Sequence, residues 1–204
     1  MASAASVALV SSFFALFCSA CGESEPVTYV GAPKGNELAF GLVEGEGAVV
    51  AYVCGGSQTF ATHSRWFTGP LDADGNFSAN ADGWTLTGTI GKTDKDVVSA
   101  ALVAPDKTST DLSATRGIAG STDGLYDVQD SGCRTGVVAW TDPVGQRQLQ
   151  GTWCDDKDHF AQVTPVLPIT ESDKGLHVTV DLSPLMLDKR DLYVEQVPTP
   201  VAKK

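Results

Sequence analysis

Residues 133–154 read Cys-Arg-Thr-Gly-Val-Val-Ala-Trp-Thr, then Asp-Pro-Val-Gly, then Gln-Arg-Gln-Leu-Gln-Gly-Thr-Trp-Cys. Two β-prone runs, Cys133–Thr141 and Gln146–Cys154, flank four residues suited to a tight turn. Asp-Pro followed two residues later by Gly favours a type I turn, and four-residue loops are common in hairpins. If Thr141 faces Gln146, Cys133 lies directly across from Cys154. Opposed Cα atoms in an antiparallel pair are ~4.5–5.5 Å apart, within reach of a disulfide. That register also sets Val138 opposite Leu149 and places Trp140 and Trp153 on one apolar face. The reading predicts a stapled β-hairpin, with Cys54 left as the odd thiol.

The rest of the chain carries the same signature. Candidate strands are Glu37–Glu44, Ala48–Cys54, Arg65–Thr68, Trp84–Ile90, Val97–Ala104 and Asp111–Ile118. They continue as Leu125–Val128, the two arms of the hairpin, and Phe160–Pro165. Gly and Asp turns punctuate them at roughly 8–12-residue spacing, the pattern of an antiparallel sandwich or barrel. In Trp84–Ile90 the apolar Trp84, Leu86 and Ile90 alternate with Thr85, Thr87 and Thr89, so one face is dry and the other wet. Ala48–Cys54 is apolar on both faces and belongs in a central position, covered twice. The expected fold is all-β, a single antiparallel barrel or sandwich of about ten short strands with a short C-terminal extension.

The extension, residues 169–204, should hold a strand at His177–Leu182 and a short helical turn opened by Ser183-Pro184 and running through Asp191. Leu192–Val197 could add an edge strand, and residues 198–204 read as a frayed tail. The main β domain is then 29–168.

Ahead of it, the first twenty residues contain no Asp, Glu, Lys or Arg, and Val7–Phe17 is apolar except for Ser11 and Ser12. Eleven residues are too few to span a bilayer, which takes about twenty as a helix. They suit the apolar region of a secretory signal covering residues 1–20. Phe17-Cys18-Ser19-Ala20-Cys21 resembles the lipobox of bacterial lipoprotein signals, in which small residues precede an acylated cysteine. The resemblance implies lipidation at Cys21 and a short anchored tether over 21–28, with Cys18 standing where the family prefers Leu. The stretch from Ala51 to Phe77 is also similar to segments of secreted β-rich proteins of uncertain role from actinobacteria and myxobacteria, which implies an exported β module and no reaction.

Charge narrows the partners. The chain carries 25 acidic and 14 basic side chains, a net −11, with no Lys/Arg cluster in the sequence. Such a field repels nucleic acid, and it repels anionic headgroups, so membrane attachment would rest on acyl chains. A soluble monomer is expected.

Sites of reaction are not legible. Asp72-Ala-Asp-Gly-Asn76 begins like a calcium loop, but Phe77 and Gly83 stand where that loop needs Gly and Glu. Asp155-Asp-Lys-Asp-His159 groups carboxylates beside an imidazole, and a solvated turn between two strands is the better reading of it. His63, His159 and His177 share no catalytic spacing, and Gly120-Ser-Thr-Asp-Gly124 is a turn and not a nucleophile elbow. The sequence therefore calls for no cofactor, metal or catalytic residue. It suggests an exported, lipid-anchored binding or structural module of the cell envelope, taking an unknown protein or small ligand. The alternatives are a lipocalin-like carrier of a small apolar ligand in a barrel lumen, or a secreted hydrolase.

Overall fold

A computed structural model describes residues 26–34, 37–91 and 94–201. Among the described residues fifteen strands are antiparallel throughout their ladders and fall into two sheets. The first contains β1 (Val27–Gly31), β2 (Ala39–Gly45), β3 (Ala48–Cys54) and β4 (Arg65–Pro70), then β5 (Asn76–Ala81), β6 (Trp84–Ile90), β7 (Val97–Val103) and β8 (Ser109–Arg116). Each strand pairs with its neighbour in sequence, β8 returns to β1, and the bridge Leu71↔Phe77 joins the β4–β5 corner. An eight-stranded up-and-down barrel results. Between β3 and β4 the chain makes one helical turn, α1 (Phe60–His63).

The second sheet holds β9 (Gly124–Asp130), β10 (Cys133–Thr141), β11 (Arg147–Cys154) and β12 (Phe160–Pro165), then β13 (Glu171–Ser172), β14 (Gly175–Val180) and β15 (Arg190–Gln196). Here β15 pairs with β9 and β12 with β14, so six strands close a second ring and the two-residue β13 hangs on its rim. The all-β antiparallel architecture is as the sequence indicates, with more strands than about ten. Residues beyond 168 are structurally part of this ring and not an appendage. Val27 and Thr28, read as tether, belong to β1, and the 183–191 turn reduces to a 3-10 turn over Ser183–Leu185. The tail is fastened as far as Val201, which bridges to Glu46.

Two-residue alternation explains both cores. Odd positions of β3 (Val49, Ala51, Val53) point into the first barrel with Tyr29, Phe40, Phe67 and Leu86. Even positions (Tyr52, Cys54) point outward, and there they meet Leu125 and Val138 of the second barrel together with Val30, Val43 and Val197. The two-faced apolar strand is thus covered twice, by its own barrel and by the neighbouring one. Leu86 and Ile90 are buried, Trp84 packs against the core rim, and Thr87 is exposed, as the alternation requires. The second core gathers Tyr126, Val137, Ala139, Trp153, Leu176 and Val178.

The hairpin register differs from expectation by one residue. Thr141 pairs with Arg147, Ala139 with Leu149 and Val138 with Gln150. The cause is the turn. Gly145 takes φ +82°, its N–H donates to the Asp142 carbonyl, and the Asp142 N–H donates to the Gln146 carbonyl. That is a three-residue loop with a bulge at a left-handed glycine, not a four-residue loop. A one-residue slip sends alternate side chains to opposite faces. Trp153 accordingly enters the second core, while Trp140 packs against the inter-barrel cluster. The Cys133–Cys154 disulfide still forms, with Cα atoms 5.6 Å apart. The β10–β11 ladder ends at Gly136↔Thr152; beyond it Cys133 stays with β9 and Cys154 with β12. The bond staples two strands where they splay apart, instead of joining a directly opposed pair.

Candidate functional site

The acidic motifs resolve as turns. Asp72 Oδ1 accepts the backbone N–H groups of Asp74 and Asn76, Asp142 Oδ1 those of Val144 and Gln146, and Asp155 Oδ1 those of Lys157 and His159. In each case the fourth residue (Gly75, Gly145 or Asp158) has positive φ. One local device recurs three times: an aspartate side chain that caps its own bulged turn. The Gln146 N–H, above all, with Gln148 and Val144, holds the Asp142 carboxyl below the usual carboxylate range. Among the described residues no group of three or more His, Cys, Asp or Glu side chains is placed to hold a metal ion.

A cleft of about 420 Å³ lies where the barrels meet beside the disulfide. Its construction starts at β3. The chain leaves Cys54 through Gly55-Gly56, turns through α1, and re-enters the sheet at Ser64-Arg65-Trp66. The Gly55 N–H donates to Ser64 Oγ, which fixes that hydroxyl against the second barrel, 2.8 Å from Thr152 Oγ1 on β11. Cys54 Sγ is 3.5 Å from the same Thr152 oxygen. Tyr52 is buried beside them. Burial pushes the Tyr52 hydroxyl well above its ordinary titration range, and it raises the Cys54 thiol as well. Neither group ionises readily. The floor of the cleft is a neutral hydroxyl-and-thiol network with no imidazole or carboxylate among the described hydrogen-bond partners of Ser64, Thr152 and Cys54.

The walls are cationic and aromatic. Alternation along β4 sends Arg65 toward the mouth of the first barrel, where its guanidinium carbon lies 4.5 Å from the Trp84 ring centre. Trp66 points the other way, stacks at a tilt on Tyr52, and donates its indole N–H to the Arg134 carbonyl. The Arg134 guanidinium carbon sits 3.7 Å from the Trp66 ring centre, and its Nε is 2.6 Å from Asp127 Oδ2. Arg134 is therefore neutralised in place. Arg65 is not: among the described residues no carboxylate lies within ion-pair distance of it, and its Nε is buried without a hydrogen-bond partner. Partial burial lowers its pKa from the ordinary guanidinium value. The Asp82 carboxylate also lines the cleft and acts on Arg65 through its charge.

Of the residues singled out from sequence, Cys133 and Cys154 line this cleft as a disulfide and Cys54 is the free, buried thiol below it. Cys21 lies outside the described residues. His63 comes near, edge-on to Trp84, whereas His159 and His177 pair with Asp155 and Asp191 elsewhere. Sequence reasoning missed Arg65 and Arg134 because 69 positions separate them; only the packing of β4 against β10 brings both to one surface. The available local signal was the single pair Arg65-Trp66; Arg134 has no Trp neighbour in sequence. Comparison of the chain with models of protein families, with curated proteins and with solved structures finds no match.

Proposed function

We propose that this is an exported cell-envelope protein, lipid-anchored through Cys21, which acts as a non-catalytic binding module and engages its ligand at the inter-barrel cleft. The observation that carries the reading is the Cys133–Cys154 disulfide on the cleft wall, since such bonds persist chiefly in oxidising compartments outside the cytoplasm. Packed barrel interiors favour binding at the surface over carriage in a lumen: Phe40, Leu42, Phe67, Leu86 and Leu102 fill the first, each no more than 1% exposed. Among the described residues no carboxylate or imidazole hydrogen-bonds Ser64, Thr152 or Cys54, which favours binding over hydrolysis. Mass spectrometry of the protein purified from membranes tests the anchor. An acyl-modified Cys21 as the first residue, and release of Cys21→Ser into the soluble fraction, are the expected results. A Cys21→Ser variant that stays membrane-bound with unchanged mass overturns it.

A further inference from the structure

We propose that the inter-barrel cleft is a binding site for a small hydroxylated carboxylate, a sugar acid, with Arg65 receiving the carboxylate and Asp82 accepting a ligand hydroxyl. The inference rests on the binding-module reading and names the ligand class for it.

Four observations converge. The cleft, about 420 Å³, falls in the range of small-molecule sites, which run from roughly 300 to 1,000 Å³. Arg65 and Arg134 concentrate positive charge at one surface of a chain whose net charge is −11. Arg134 already has its counter-ion in Asp127, whereas Arg65 feels Asp82 only from beyond ion-pair distance and is the cation with room for a direct carboxylate partner. Its guanidinium rests on Trp84 and gives one Nη2 hydrogen bond to the Thr62 carbonyl, which fixes the plane while leaving the fork largely unspent. A preorganised, partly desolvated guanidinium suits a carboxylate, because the fork matches its two oxygens and the anion compensates the lost hydration.

The remaining walls select what else the anion carries. Asp82 would repel a bare dianion and accept a hydrogen bond from a ligand hydroxyl, and Phe160 offers an apolar surface for a ring face. A simple anion would use Arg65 alone; a hydroxylated one uses both groups. The disulfide limits movement of the β10 and β11 walls, so the cleft is largely formed before the ligand arrives.

The test follows the four indole N–H signals of the full chain by NMR while D-glucuronate is added, with D-glucose and acetate as separate arms. Saturable shifts of Trp66 and Trp84, with Trp140 and Trp153 unmoved, are expected for glucuronate. Arg65→Gln should weaken binding by at least about tenfold, in line with loss of a charged hydrogen bond. Arg65→Lys should weaken it less, and unchanged Trp140 and Trp153 signals verify that each variant is folded. Glucuronate without effect, or Arg65→Gln binding as tightly as the parent, overturns the proposal. Equal response to acetate reduces the cleft to nonspecific anion attraction and also overturns it. Glucose shifting Trp66 and Trp84 where glucuronate does not would sink the acid-specific site while leaving a binding module in place.

Discussion

The two barrels solve one problem with different means. The first closes eight strands around a core that includes Tyr29, Phe40, Phe67 and Phe77, and among its described residues it has no disulfide. The second closes six strands on fewer large side chains, with Trp153 the bulkiest, and carries the Cys133–Cys154 staple. It adds a polar clasp as well: Asp130 Oδ2 accepts from the Trp153 indole and from Arg190, 2.8 and 2.6 Å away. A smaller unit buries a smaller fraction of its surface and leans more on cross-links. The difference teaches that stability is distributed unevenly, mainly as apolar packing on one side and as packing plus covalent closure on the other.

That contrast makes Leu86→Ala the most damaging of the substitutions considered. Leu86 is fully buried in the first core, and its truncation should cost about 2–5 kcal/mol. Thr87→Ala, one position along on the wet face, should stay within about 0.5 kcal/mol. Denaturant unfolding checks both. Equal losses would mean that the dry and wet faces of β6 are not distinct.

Removal of the staple comes next. The Cys133–Cys154 bond spans 21 positions, and its replacement by two serines should cost roughly 2–4 kcal/mol. If the barrels differ as described, the loss falls on the Trp153 environment first, and the Trp84 environment follows only as far as the shared interface couples them. Simultaneous loss of both signals would show a single cooperative unit and erase the distinction. Cys54 supplies an internal control. Its thiol is buried and shifted upward by that burial, so it should resist a thiol reagent in the folded protein and react once the interface opens.

The interface itself can be probed at Gly136. A Cβ there would lie 2.6 Å from the Tyr52 ring, closer than any real contact, so the absence of a side chain lets β10 approach β3. Gly136→Ala should cost about 1–3 kcal/mol by overpacking. Relief of that cost by a second substitution, Tyr52→Phe or Tyr52→Leu, would separate ring crowding from loss of the hydroxyl. If only Leu relieves it, the clash is with the ring as a whole.

The legible part of the fold was the part written locally. Alternation in Trp84–Ile90 and the two-faced apolarity of Ala48–Cys54 each depend on a single strand and its burial, and both hold in the structure. Strand β5 escaped notice because Asn76-Phe-Ser-Ala-Asn-Ala81 is weakly apolar and follows an Asp-Gly turn. The hairpin register depended on one dihedral angle at Gly145, and a slip there put Trp140 and Trp153 on opposite faces. Recognition of two rings needed pairings such as β8 with β1 and β15 with β9, which link distant segments and leave no spacing signal. The candidate site was hidden for the same reason, because Arg65, Trp84 and Arg134 come from three separate strands in two barrels.

The smallest effect tests whether the turns differ between the barrels at all. Asp142, in the second barrel, and Asp106, in the first, both have carboxyls held below their ordinary range, chiefly by the backbone N–H groups of Gln146 and Thr108 respectively. In the unfolded chain both titrate near ~3.9. A carboxyl that binds its proton less readily when folded contributes stability that is fully present above the unfolded value and is lost as pH falls through the lower folded one. Both turns should therefore add nothing to the pH dependence of stability between about pH 5 and 8, and should weaken below about pH 4. Asp106→Asn and Asp142→Asn keep a side-chain acceptor and remove the charge. Each should lower the melting temperature slightly at pH 6, with the difference from the parent closing as the pH approaches 2. Asp106 is exposed and Asp142 half-buried at the surface, so screening keeps the effect small and added salt should shrink it further. If the barrels differ only in core size and cross-linking, the two variants behave alike. A pH-dependent loss confined to Asp142→Asn would instead place part of the second barrel's stability in its turn, and the contrast between the barrels would have to be redrawn around that hairpin.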